Sequence, residues 1–458
     1  MLHQIVSSLL LVTCLCLPAG AQELVDVQPV EMPGGVEAER GRLVVPLRHG
    51  EPDGKTIEIA YLRIKGDASV PPVFVLAGGP GDSGIRVAEG MARAPQARGL
   101  FMGDIVGIDQ RGVGASVPNL DVNVDYGVPM NEPFSREAVG QRVLEEWKQI
   151  AEKCESDGVD LAAFNSQENA DDIDALRAAL GYETMDLWGV SYGSHLALAV
   201  LKRHEDSVDR VFLASPEGPH HTLKRPALVQ AAIERRLGND EEMLSALKSA
   251  KATLDEGPAT VTLPSMMSAD EEIVVGPEDL ERFILQIAQS PAPTMALRPP
   301  VVQLGLGDFT QLGQWARQDR RNLKVTSAMK LAMDVASGAS EERREQIKNE
   351  SAVTLTGNAI NFPIDLPGAA EALGVEPLPA SFHEAVQSDR PVLIMVGTND
   401  IRTPIENARE IARTLPNAKL LIVRDGFHGF RPTPAVLAVL KQFFADRDNE
   451  MPAEQTVQ

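Results

Sequence analysis

The sequence predicts an α/β protein: a mostly parallel sheet covered by helices on both faces, interrupted by a helical insertion. Three observations predict it. Short, continuously apolar runs bounded by glycine alternate with segments of helical period. The alternation stops near residue 218, and amphipathic helical stretches take over until about residue 385. It then resumes from Val392 to Phe444.

The chain opens on an apolar stretch, Ile5 to Pro18, followed by Ala19-Gly20-Ala21. The stretch falls short of the roughly 20 residues that span a bilayer, and the small-x-small pattern after it is that of a cleaved leader. Residues 1–21 are therefore expected to be a signal peptide, and the mature chain to be exported, periplasmic or extracellular. The leader has no Lys or Arg, only the amino terminus and His3. Cys14 and Cys16 follow Thr13 and Leu15 rather than a small residue of the lipoprotein type, so no membrane anchor is expected. Cleavage leaves Cys154 alone, which excludes an internal disulfide. Its neighbours Glu152 and Glu155 disfavour a thiolate, so it is not expected to be a nucleophile.

Alternating runs at Leu43–Leu47 and Thr56–Ile64 predict two antiparallel strands. Val73–Leu76 reads as a strand buried on both faces, ending in Ala77-Gly78-Gly79-Pro80-Gly81-Asp82-Ser83-Gly84. Asp104–Ile108 is similar and runs into Asp109-Gln110-Arg111-Gly112. A helix follows at Asn169–Leu180, with Ile173, Leu176 and Leu180 on one face and Gly181 as its stop. Next come a strand at Met185–Val190, a helix at Ser194–Arg203 and a strand at Val208–Leu213. The insertion holds amphipathic stretches at Ala227–Leu237, Pro277–Ser290 and Glu341–Asn349, with no strand of the buried parallel type. Val392–Val396, Glu406–Leu415, Leu420–Val423 and Pro434–Phe444 restore strand–helix alternation. The expected division is a core over 22–218 and 386–446, a cap or lid over 219–385, and a loose tail over 447–458. Ligands of such sheets bind at the carboxyl ends of the strands, where a cap would roof them.

Acidic residues number 65 against 43 basic ones, for a net charge of −22 over 458 residues. That charge repels phosphate backbones and anionic lipid surfaces, so no nucleic acid partner is expected. It suits solubility, and it attracts substrates bearing a free amine.

Chemistry concentrates at Gly189-Val190-Ser191-Tyr192-Gly193. A strand before this segment and a helix after it would lift the Ser191 hydroxyl out of the sheet on a tight turn, with glycines where the backbone is crowded. A serine nucleophile needs a base. His428, in Asp425-Gly426-Phe427-His428-Gly429-Phe430 after the last strand, is the candidate. His195 rides the nucleophile's own helix and reads as a packing residue; His49, His204, His220, His221 and His383 read as surface or structural. The imidazole needs a carboxylate, and Asp400 follows Val392–Val396 by a short loop, 28 residues before His428. Asp425 is the rival acid, better suited to a turn. The order Ser, Asp, His is that of α/β-hydrolases. Tyr192 and Gly79 are the candidate N–H donors of an oxyanion hole. The glycine loop lacks the Gly-Lys-Ser/Thr ending of a phosphate-binding loop. Glu217 follows Val208–Leu213 and is a candidate substrate contact or a solvated loop carboxylate. Asp109 and Arg111 are expected to fix the neighbouring loop by pairing with each other or with backbone.

Gly78-Gly79-Pro80-Gly81, Asp109-Gln110-Arg111-Gly112-Val113-Gly114-Ala115-Ser116 and Gly189-Val190-Ser191-Tyr192-Gly193 together resemble the proline iminopeptidase family of serine peptidases. Gly397-Thr398-Asn399-Asp400-Ile401-Arg402-Thr403-Pro404 through Gly426-Phe427-His428-Gly429 resembles its tripeptidyl aminopeptidase branch. The resemblance covers about 70–215 and 390–445. It implies an α/β-hydrolase fold, an acyl-enzyme route releasing residues from peptide amino termini, and no metal or organic cofactor. It also implies cap carboxylates that bind the substrate amine. The chain departs at Ala77, where many members have histidine, and shows no recognisable cap motif. The same residues also suit a carboxylesterase or lactonase.

Overall fold

The computed structural model describes residues 23–94, 99–264, 270–429, 433–445, 447 and 454–457, and the expected leader lies outside them. Its strands are β1 (Leu24–Met32), β2 (Val36–Pro46), β3 (Thr56–Ile64), β4 (Val73–Leu76), β5 (Ile105–Ile108), β6 (Asp121–Asp125), β7 (Met185–Val190), β8 (Val208–Ala214), β9 (Ala259–Leu263), β10 (Glu271–Val275), β11 (Lys324–Ser327), β12 (Val392–Gly397), β13 (Ala418–Val423) and β14 (Gln455–Val457). Ten of them form one sheet in the order β1-β2-β3-β5-β4-β7-β8-β12-β13-β14. The first three pair antiparallel and β3 meets β5 antiparallel; from β5 to β14 every pairing is parallel.

All four residues of β4 and of β5 are buried, because helices cover the sheet on both sides. One face packs on helices Arg136–Ser156, Ser166–Ala179, Tyr192–Arg203 and Ile405–Ala412. The other packs on Gly84–Arg93 and Pro434–Ala445, through Ile85, Ala88, Val436 and Phe443.

The 219–385 stretch is not one packing unit. Helices Pro226–Arg236, Glu241–Glu256, Pro277–Gln289, Thr294–Gly305 and Thr310–Asn322 surround a core of their own, with the hairpin β9–β10. Val325, helix Ala328–Ser337 and the stretch Leu366–Val386 rejoin the sheet's core, notably through Ala328, Met329, Leu331 and Met333, whereas Leu355 stays with the insertion's core. Beyond the sequence expectation, the insertion therefore contains strands: β9–β10, and β11, which pairs antiparallel with β6. The expected loose tail also differs, since β14 adds a parallel strand to β13. β1, not anticipated, extends the antiparallel edge. Among the described residues no helix is long and apolar enough to cross a membrane.

Candidate active site

The parallel register lines up the strand ends that carry the candidate residues. Leu76 of β4 sits beside Gly189 of β7, Val190 beside Ala214 of β8, Ala214 beside Met395 of β12, and Gly397 beside Val423 of β13. The loops bearing Gly79, Ser191, Glu217, Asp400 and His428 thus leave the same edge of the sheet.

Ser191 has φ 55° and ψ −123°, outside the regions comfortable for an L-residue. The turn is held by Ser191 N–H donating to Ala214 O at 2.9 Å and Ser194 N–H to Ser191 O at 2.8 Å. A Cβ on Gly193 would lie 2.0 Å from Leu76 O, and one on Gly189 would lie 2.5 Å from Gly193 O. Only glycine lets the helix approach the sheet this closely.

His428 Nε2 lies 2.9 Å from Ser191 Oγ, and His428 Nδ1 lies 2.9 Å from Asp400 Oδ2. Asp400 is buried; burial opposes its ionisation, but hydrogen bonds from His428 and Thr403 outweigh burial and hold its carboxyl below the usual range. Arg402 N–H and Thr403 N–H each donate to Oδ1 at 2.9 Å, and the Thr403 hydroxyl donates to Oδ2 at 2.8 Å. Sequence reasoning missed Thr403, although a threonine three residues after an aspartate is a recurrent local hydrogen-bonding pattern. Asn399 N–H bonds Gly426 O at 2.8 Å, which ties the Asp400 loop to the His428 loop. Asp425 is an exposed turn residue with φ 56° and no bond to His428.

Gly78 abuts Ser191: a Cβ there would stand 3.2 Å from Ser191 Cβ. Gly79 has φ +108° and is exposed. Among the described residues no protein acceptor engages the N–H of Gly79 or of Tyr192. The Tyr192 side chain is buried and bonds Ser166 Oγ at 3.0 Å.

Glu217 is neither solvated nor free. It is 7 % exposed, and its carboxylate pairs with Lys224, with His195 Nδ1 4.0 Å away. Burial disfavours its charge, but the Lys224 ammonium prevails and keeps its carboxyl below the usual range. Its N–H donates to Ser194 Oγ at 2.7 Å. His195 is fully buried between Gly218 O and Ser166 Oγ, in the packing role expected of it.

Asp109 and Arg111 do not pair with each other. Asp109 accepts from Ser83 Oγ, Ile85 N–H and Ala115 N–H, so it does brace the glycine loop. Arg111 turns away into a fork with Asp172, with Nη2 and Nε each at 2.8 Å, and also meets the carbonyls of Leu47 and Ala163. Their side chains diverge because Asp172 lies on the helix beneath the loop, a partner 61 residues away. Cys154 is buried, and burial raises its thiol above the usual range, with Asp157 adding to the effect.

His220, His221 and Glu410 bring ligand-type atoms within 4.8 Å of one another. Gly218 N–H donates to His221 Nδ1 at 3.1 Å, which puts the ring proton on Nε2, toward Glu410. His220 Nε2 lies 2.9 Å from Glu410 Oε1, whereas His221 Nε2 makes no hydrogen bond among the described residues although Glu410 Oε2 is 3.3 Å away.

The family described as alpha/beta hydrolase fold matches residues 71–430. Over 199 residues the chain is 33% identical to serine protease Hip1 of Mycobacterium tuberculosis, covering 42% of this chain and 38% of that one. Over 189 residues it is 31% identical to tripeptidyl aminopeptidase of Streptomyces lividans, covering 39% and 35%. The matches thus span well under half the length of these curated relatives. Among solved structures it is similar to a proline iminopeptidase-related protein from Thermus thermophilus (TM-score 0.40, 15% identity, 94% of this chain and 99% of that one). It is also similar to an esterase from Exiguobacterium antarcticum (TM-score 0.36, 16% identity, 86% and 92%).

Proposed function

The chain belongs to the alpha/beta hydrolase fold family, and on that premise we propose that it is an exported serine hydrolase, an aminopeptidase that releases N-terminal residues or short peptides through an acyl-enzyme. The observation that carries the reading is the unbroken relay Ser191 Oγ–His428 Nε2 and His428 Nδ1–Asp400 Oδ2, each at 2.9 Å. Ser191 Oγ attacks the scissile carbonyl while His428 Nε2 takes its proton. Asp400 keeps Nδ1 protonated and stabilises the imidazolium. The N–H groups of Gly79 and Tyr192 bind the oxyanion. His428 then protonates the leaving amine, and water, activated by the same ring, releases the acyl group.

Glu217, the sequence candidate for binding the substrate's ammonium, is not proposed for that role, because its carboxylate is buried and already neutralised by Lys224. The peptidase names of the curated relatives favour the aminopeptidase reading. Export rests on the leader pattern; the amino terminus of the secreted chain should be Gln22, and a terminus at Met1 would refute it.

The test compares alanyl and prolyl anilides carrying a free amine with the same compounds acetylated, using Ser191→Ala as the blank. Cleavage of the free-amine forms alone is expected, and Ser191→Ala should fold yet lose several orders of magnitude in turnover. Equal cleavage of both forms, or hydrolysis of simple esters only, would move the assignment to a carboxylesterase or lactonase.

A further inference from the structure

We propose that Lys330 is a positioning residue, holding the oxyanion loop in place from the insertion by gripping the Gly79 carbonyl. The inference rests on the serine hydrolase reading above. Lys330 Nζ donates to Gly79 O at 3.2 Å and to Asp334 Oδ2 at 3.0 Å. Asp334 is only 7 % exposed and lies one turn further along the same helix, so it anchors the ammonium above the loop.

That helix is a fixed support. Ser327 Oγ caps it by accepting from Lys330 N–H at 3.2 Å, and Ala328 N–H bonds Leu120 O at 2.9 Å. Its far end is tied down by Ser337, which meets Ser166 Oγ at 3.0 Å and whose carbonyl lies 2.6 Å from His383 Nε2. Its first turn also lies on the loop itself: a Cβ on Gly81 would lie 3.9 Å from both Lys330 Cβ and Ser327 Oγ.

The loop needs such a hold. Gly79 has no side chain to restrict its rotation, and its φ of +108° is one that L side chains rarely adopt. The neighbouring Gly78 carbonyl is held by Asp82 N–H at 3.2 Å, within the loop. The Gly79 carbonyl is held from outside, by Lys330. With that bond lost, the Gly79–Pro80 peptide can tilt; the Gly78–Gly79 peptide is then held by Asp82 N–H alone, and the Gly79 N–H that it carries no longer points as steadily at the developing oxyanion.

The test uses the full chain, with p-nitrophenyl acetate as substrate and an aryl boronic acid as transition-state analogue. Lys330→Met should lower kcat by about 10- to 100-fold, the range for a misplaced catalytic donor, with KM within about twofold. The boronic acid Ki should rise by a matching factor, because the boronate also uses the oxyanion hole. Lys330→Arg, which can still donate to the carbonyl, should recover most of the loss, with thermal midpoints alike in all three proteins. A Lys330→Met protein with wild-type kcat would overturn the proposal. So would a loss that follows the thermal midpoint in both variants while boronic acid affinity stays unchanged. If the wild type neither hydrolyses the ester nor reacts at Ser191 with a fluorophosphonate, the functional reading fails and takes this proposal with it.

Discussion

At the residue scale, the site depends on a few side chains whose partners are local. Ser191 is held in a conformation that costs a non-glycine residue about 1–3 kcal/mol, so the surrounding bonds must enforce it. Asp400 is oriented by its own loop, through two backbone N–H groups and the Thr403 hydroxyl. A hydrogen bond to a charged group contributes about 1.5–3 kcal/mol. Thr403→Val, which keeps the side-chain shape, should therefore lower kcat by roughly 10- to 100-fold with little change in KM. Unchanged turnover on a simple ester would mean that the backbone bonds alone orient Asp400. Ser191, Asp400 and His428 were legible as candidates because each follows an apolar strand run by a short glycine-containing loop. Lys224 as the partner of Glu217 was not, because nothing in the sequence signals that the chain doubles back over seven residues to bury both charges.

Elements carry the next layer of the argument. The parallel strands β4, β5, β7, β8, β12 and β13 were readable to within a few residues, since burial on two faces leaves a continuous apolar signature; β1, β14 and the covering helices Gly84–Arg93 and Arg136–Ser156 were not. β9, β10 and β11 were not, because short half-exposed strands inside a helical stretch carry little pattern. The loop after β5 is fastened to helix Ser166–Ala179 by the buried fork of Arg111 on Asp172, which also engages His49 at 2.8 Å. Removing one partner of a buried pair leaves an uncompensated charge and costs about 3–5 kcal/mol. Arg111→Met should thus lower the thermal midpoint by several degrees, and an unchanged midpoint would mean that His49 suffices to neutralise Asp172.

For the whole molecule, two apolar cores meet at the site: Ile401, beside Asp400, packs into the core of the insertion. Its pH response divides among buried groups of opposite sign. Burial, the largest cause, pushes His195 down to about 4 from its usual 6.5. The unfolded chain then takes up a proton that the folded chain refuses, so this stabilisation is present above about pH 6.5 and is lost as the pH falls through about 4. Asp186, raised to about 7 chiefly by burial, acts in the opposite sense over an overlapping range. The informative quantity is therefore a difference between proteins. On going from pH 7 to pH 4.5, the thermal midpoint of His195→Asn should fall less than that of the wild type. Equal falls would mean that His195 does not stay neutral in the fold.

The sequence alone determined the strand–helix order of the parallel part of the sheet, the acidic charge and the three candidate residues at loop ends, because each is written in local apolar period, composition or short-range spacing. Tertiary structure alone decided that these loops emerge along one edge and that Arg111 leaves Asp109 for Asp172. It also decided that helix Ala328–Ser337 packs with the sheet and sets Lys330 on the Gly79 carbonyl. Those outcomes depend on strand register and on contacts between residues tens to hundreds of positions apart, which local patterning does not encode.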